Sequence, residues 1–92
     1  IETISSGKVN VYPNPFKETI QIAFVGKGMS NLTIFDNLGR KVNIQRRFCN
    51  SGVTIFNWDG TSNSGEKLKP GYYAFVIKTE EQMIRGKISL MK

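Results

Sequence analysis

At 92 residues, with six phenylalanines, three tyrosines and one tryptophan but a single cysteine, the chain can fill one hydrophobic core and cannot form an internal disulfide. It contains no histidine, which removes histidine-based triads, histidine metal sites and any imidazole that would activate Cys49. Thirteen lysines and arginines against seven carboxylates give a net charge of +6, dispersed along the chain as on a solvated basic surface rather than blocked as in a nucleic-acid site.

In chain order, residues 1–8 (IETISSGK) mix small and polar groups without a period and read as a linker, and residues 9–92 as one domain. The start has no apolar signal-peptide core, and because its first residue is not methionine the chain is expected to be a piece of something longer. From Val9 onward apolar residues recur at period two, the mark of half-buried strands. Val9 and Val11 share one face, then Ile20, Ile22 and Phe24, then Leu32 and Ile34. In RKVNIQRRF, Val42 and Ile44 are expected inward and Lys41, Asn43 and Gln45 outward. In GVTIFNW, Thr54, Phe56 and Trp58 fall in one phase. YYAFVIK is apolar in both phases, as a central strand covered on both sides would be. The last run, MIRGKISLMK, aligns Ile84, Ile88 and Leu90.

Turn chemistry separates these runs: Pro13-Asn14-Pro15, Gly26 to Gly28 (a hairpin turn), Asp36 to Gly39, Asn50 to Gly52, Asp59 to Gly65 and Pro70-Gly71. The helix-prone run Thr79 to Arg85 is short enough to be a charged hairpin connection. About seven short strands with regular turns predict an all-β fold, an immunoglobulin-like β-sandwich of antiparallel strands. Nowhere does the chain approach the ~20 apolar residues of a membrane helix.

Chemistry-bearing patterns are few. The segment DGTSNSGE, Asp59 to Glu66, spaces oxygens as a calcium loop would, but its glycine, Gly65, comes one place late and the twelfth position is Pro70, so it reads as a turn without metal. Asp36, Asp59, Glu66, Glu80 and Glu81 all fall in predicted turns, with no pocket implied for a carboxylate pair. Cys49 reads as a small packed residue, and Asn31 to Thr33, a glycosylation triplet, lies inside a strand. Neither an enzyme nor a cofactor or metal site is expected.

Four motifs in order carry a resemblance: VYPNPF (Val11 to Phe16), IFDNLGRKV (Ile34 to Val42), WDGTSNSGEKLKPGYYAFVI (Trp58 to Ile77) and GKISLMK (Gly86 to Lys92). Together they resemble the type A C-terminal sorting domain of the type IX (Por) secretion system, over about residues 9 to 92. The resemblance implies an immunoglobulin-like sandwich that directs its N-terminal cargo through an outer-membrane translocon. It also implies cleavage ahead of the domain by a sortase-like surface protease, with export through the periplasm to the cell surface or medium and anionic lipopolysaccharide met through the cargo. The family's glycine-tyrosine motif falls on Gly71 and Tyr73. Its recognition segment falls on Gly86, Lys87, Ile88, Leu90, Met91 and Lys92, and the cleavage region on Ser5, Ser6, Gly7 and Lys8. One departure is the final hairpin, where the family often has glycine and this chain has TEEQM.

Trp58, Asp59, Gly60, Gly65, Gly71 and Tyr73 are assigned to a structural corner: an aromatic anchor, then glycines for turn geometry that side chains with a Cβ resist. The alternative is a non-catalytic immunoglobulin-like structural or carbohydrate- or surface-binding module retained in the mature protein. Flagellar hook-cap scaffolds and sandwich domains appended to surface hydrolases share the Asp-Gly and Gly-x-Tyr features.

Overall fold

A computed structural model of the chain describes residues 9–91, the side chain of Ser51 excepted. The expected linker over residues 1–8 therefore lies outside the described residues. The fold is all-β: β1 (Val9–Tyr12), β2 (Ile20–Phe35), β3 (Lys41–Trp58), β4 (Gly71–Lys78) and β5 (Met83–Leu90), every strand pairing antiparallel.

The seven expected runs are all present, joined into five strands because two expected turns are bends within strands. β3 flanks β2 along its whole length, while the other side of β2 takes β1 opposite residues 21–24 and β4 opposite residues 31–35. One long bent hairpin thus contributes to both layers of the sandwich: β1 with the first half of β2 and the second half of β3, then the remaining halves with β4 and β5.

Gly26 to Gly28 is not the hairpin turn expected. It stays paired with β3, and the register shifts by one residue between Gly26 and Gly28. Gly28 takes φ +81°, and a Cβ on Gly26 would stand 2.7 Å from the Phe24 ring. Two β3 residues, Asn50 and Ser51, stand opposite Lys27 alone, so the extra residue of this bulge lies in β3, and the glycines let β2 bend beside it without ending. Asn50 to Gly52 is likewise strand, not turn.

A second shift opposite Ile34 and Phe35 adds Val42 to β3. An extra residue reverses the inward phase of the strand beyond it. Val42 packs on the core as expected, but Asn43 is buried and Ile44 is half exposed, the reverse of the expectation for those two. Asn43 is satisfied there, donating from Nδ2 to the Thr61 carbonyl at 3.0 Å and accepting from Gln45 at 3.0 Å.

The core lies between the layers. Ile20, Ile22, Phe24, Phe56 and Trp58 face Leu32, Ile34, Phe75, Ile77 and Ile88, with Phe24 and Phe56 stacked at 5.8 Å. β4 is central in its sheet but covered on one face: Tyr73, Phe75 and Ile77 are buried while Tyr72 is 74% exposed. Its outward residues Tyr72, Ala74 and Val76 have no second layer of the described fold over them, and Tyr72 and Val76 suit a strand by their β-propensity. Cys49 is buried, as expected, against the Ser30 hydroxyl at 3.3 Å.

Candidate functional site

The corner from Asn57 to Tyr73 is built around Trp58. Its indole N–H donates to the Thr61 carbonyl at 2.8 Å, and the Thr61 hydroxyl donates to the Asp59 carboxylate at 2.6 Å. Gly60 has φ +80°, and a Cβ there would stand 3.3 Å from Leu90, so the turn presses on the end of β5. Gly65, at φ +90°, closes the smaller loop, where its N–H donates to the Ser62 carbonyl. Trp58 meets Tyr73 edge-on at 5.4 Å and Phe16 at 5.5 Å.

Gly71 opens β4, and two residues on the Tyr73 hydroxyl donates back to the Lys69 carbonyl. A tyrosine near the start of a strand bonding to backbone just upstream is a hallmark of immunoglobulin-like sandwiches. Burial raises the Tyr73 hydroxyl above its ordinary pKa, and the charge of Asp36 adds to this. Asp36 itself is held below the usual carboxylate range, first by the Arg40 N–H and then, against some desolvation, by the Arg40 guanidinium and the Leu38 N–H.

Around these groups an open cleft of about 550 Å³ runs between the Asp36 turn and the Glu66 to Tyr73 segment. The Asp36 carboxylate in it already holds Arg40 at 2.8 Å. Asp59 and Glu66 lie in the exposed loop, and Glu80 and Glu81 in the β4–β5 turn.

That turn keeps its shape without glycine. Thr79 accepts the Gln82 N–H at 3.1 Å and the Glu81 N–H at 3.2 Å on its hydroxyl, and its own N–H donates to the Gln82 carbonyl. A threonine hydroxyl closes a turn this way without needing positive φ.

Of the segment expected to be recognised, Ile88 is fully buried and Leu90 nearly so. Gly86 lies against the Phe75 ring, where a Cβ would come within 2.6 Å. Lys87 and Met91 are the side chains of that set presented to solvent. Lys92 lies outside the described residues, as do Ser5, Ser6, Gly7 and Lys8.

Among the described strands β5 pairs with β4 alone, on one side. Sequence reasoning did not anticipate that part of its other edge is occupied. The Phe16 N–H donates to the Ser89 carbonyl at 2.9 Å, and the Met91 N–H donates to the Phe16 carbonyl at 2.7 Å. Asn14 acts as one more backbone unit, accepting the Ser89 N–H at 2.9 Å and donating to the Lys87 carbonyl at 3.2 Å. Since Ser89 turns both backbone groups outward and the β4–β5 register is unbroken, Met83 and Arg85 turn theirs outward as well. Among the described residues the edge of β5 is therefore latched from the Lys87 carbonyl onward and open before it. VYPNPF contains the signal in retrospect: an asparagine and a fully buried phenylalanine on either side of Pro15.

The profile of a secretion system C-terminal sorting domain matches residues 10–91. Among solved structures, the chain is similar to PorZ, a surface component of the type-IX secretion system of Porphyromonas gingivalis, with 23% identity and TM-score 0.70 over 91% of this chain and 11% of that one. It is similar to dimeric latent PorU of the same organism, with 23% identity and TM-score 0.64 over 90% of this chain and 9% of that one. It is also similar to the hook-capping protein FlgD of Xanthomonas campestris, with 21% identity and TM-score 0.64 over 94% of this chain and 63% of that one. At these identities the likenesses establish the immunoglobulin-like fold. A search of curated protein sequences gave no match.

Proposed function

The chain belongs to the secretion system C-terminal sorting domain family, and from that premise we propose how it works as a type IX sorting signal, sending what is joined to it to the cell surface or extracellular space. The cargo is the N-terminal region of the same protein. An outer-membrane translocon recognises the domain, and a sortase-like surface protease then cuts ahead of it around Ser5 to Lys8. Anionic lipopolysaccharide is met through the cargo.

Recognition falls on the terminal strand and its tail, Gly86, Lys87, Ile88, Leu90, Met91 and Lys92. The observation that carries this reading is the half-open edge of β5. A strand of the translocon pairing with the outward backbone groups of Met83 and Arg85 gains main-chain hydrogen bonds. Lys87 and Met91 are read by their side chains, whereas Ile88, Leu90 and Gly86 act by holding β5 against the core. No reaction is assigned to the domain.

The test is a reporter carrying an export signal at its N-terminus and this chain at its C-terminus, expressed in a bacterium with the type IX system. Surface delivery is expected with the chain and periplasmic retention without it. Mass spectrometry of the delivered product is expected to show loss of everything after the linker. A delivered product still ending at Lys92 would favour the retained module that the likeness to FlgD also suits.

A further inference from the structure

The two outer faces of the sandwich are unlike in charge. No strand of the described fold contains a carboxylate, since every aspartate and glutamate from Val9 on lies in a turn or loop. Outside the layer of β1, the outward residues Asn10, Tyr12, Gln21, Val53, Ile55 and Asn57 carry no charge.

Outside the other layer the register sets three rows across the sheet. Arg46, Asn31, Lys78 and Met83 form the first, and Ile44, Thr33, Val76 and Arg85 the second. The third holds Lys41, Phe35, Ala74 and Lys87. Five cations, Lys41, Arg46, Lys78, Arg85 and Lys87, therefore share one face, and all are exposed. Among the described residues none of them joins an ion pair. Large apolar side chains stand between and beside them: Tyr72 is 74% exposed, Phe48 63%, Ile44 50% and Met83 49%.

We propose that this four-strand face is a docking surface for an acidic, partly apolar protein surface. The inference rests on the sorting reading and names the part of the domain that meets the secretion machinery. Charge complementarity identifies the occupant, because five unpaired cations with no carboxylate among them repel a basic partner and attract an acidic one. The interleaved Tyr, Phe, Met and Arg are the residue types enriched at protein interfaces, which favours a protein over a lipid headgroup layer. The face adjoins the open edge of β5 through Arg85 and Lys87, so one partner covers both.

The experiment uses the reporter fused to the whole chain. Arg46→Glu, Lys78→Glu and Arg85→Glu are introduced together, with Lys17→Glu, Lys67→Glu and Lys69→Glu as an equal charge change elsewhere. Surface delivery is expected to fall about tenfold or more in the face variant and to stay near that of the unaltered fusion in the control. The same three face positions changed to Gln give an intermediate loss and guard against a folding defect, which thermal unfolding of each chain reports. Suppressors of the face variant are expected to replace an Asp or Glu in an outer-membrane protein. Equal delivery by both triple variants, or equal loss, overturns the proposal. So does binding of the unaltered chain, but not the face variant, to phosphatidylcholine vesicles containing phosphatidylglycerol, together with suppressors confined to lipid synthesis. Non-delivery of the unaltered fusion overturns the sorting reading and takes the docking face with it.

Discussion

The corner from Asn57 to Tyr73 and the terminal strand β5 pack against the same aromatic cluster, yet they dispose of their polar groups in opposite ways. In the corner the Trp58 indole, the Thr61 hydroxyl and the Tyr73 hydroxyl all bond to groups of the corner itself. In β5 the alternate residues Ile84, Ile88 and Leu90 are sunk in the core, while the backbone of Met83 and Arg85 turns toward solvent. A segment whose donors and acceptors are paired internally has little left for a partner, and an edge strand has a row of them. Motif density in the sequence is thus a poor guide to where backbone groups are left for a partner, because the corner is the richer of the two in motifs.

The sharpest way to break that comparison is to ask whether β5 matters to the fold as much as the corner does. Trp58→Ala is expected to cost about 3–5 kcal/mol, as large-to-small aromatic changes in a core do. Gly86→Val is expected to cost about 1–3 kcal/mol, since its Cβ has no room beside Phe75 and the ring must be displaced. Urea unfolding of the two variants checks the order. A Gly86→Val domain as stable as the unaltered one would mean that the Phe75 ring is not fixed and that β5 is loosely held.

The phases of Ile20 to Phe24, of Leu32 and Ile34, of Thr54 to Trp58 and of Ile84 to Leu90 were legible because each stretch is unbroken strand with one buried face. The corner was legible because Trp-Asp-Gly and Pro-Gly have few other uses. Three things were not. Glycines serve bends within a strand as well as turns, so Gly26 to Gly28 read as a hairpin, although Ile20 to Ile34 keep one even-numbered phase throughout, as a strand does when the extra residue of a bulge lies in its partner. The bulge at Val42 flipped Asn43 and Ile44, since a single extra residue exchanges the faces. The latch by Asn14 and Phe16 is a contact between residues more than seventy positions apart, which no local period encodes.

A finer test of the corner uses pH. Tyr73→Phe removes the bond to the Lys69 carbonyl and is expected to cost about 1 kcal/mol near neutrality. The native pKa of Tyr73 is raised above the ordinary value of 10.0, so folding favours the protonated hydroxyl. That stabilisation is whole below the unfolded pKa and is lost as pH rises through the native one. The unaltered domain should therefore lose Tm more steeply above pH 10 than Tyr73→Phe does. Parallel Tm curves in alkali would show that the hydroxyl is not confined to the corner as described.

The smallest expected effect separates the two ends of β5 from each other. Asn14→Ala deletes two exposed hydrogen bonds, to the Ser89 N–H and the Lys87 carbonyl, and water replaces both, so the loss in global stability should be about 0.5–1 kcal/mol. Its local signature is clearer. The Ser89 amide loses its acceptor, and its hydrogen exchange should accelerate toward that of the already open Arg85 amide, while Ile84 and Ile88, which face β4, keep their protection. Acceleration at Ser89 alone shows that Asn14 is what makes the second half of this edge unlike the first. If Ser89 stays protected, the Phe16 segment alone closes the edge, and the asymmetry of β5 belongs to the buried phenylalanine rather than to the asparagine.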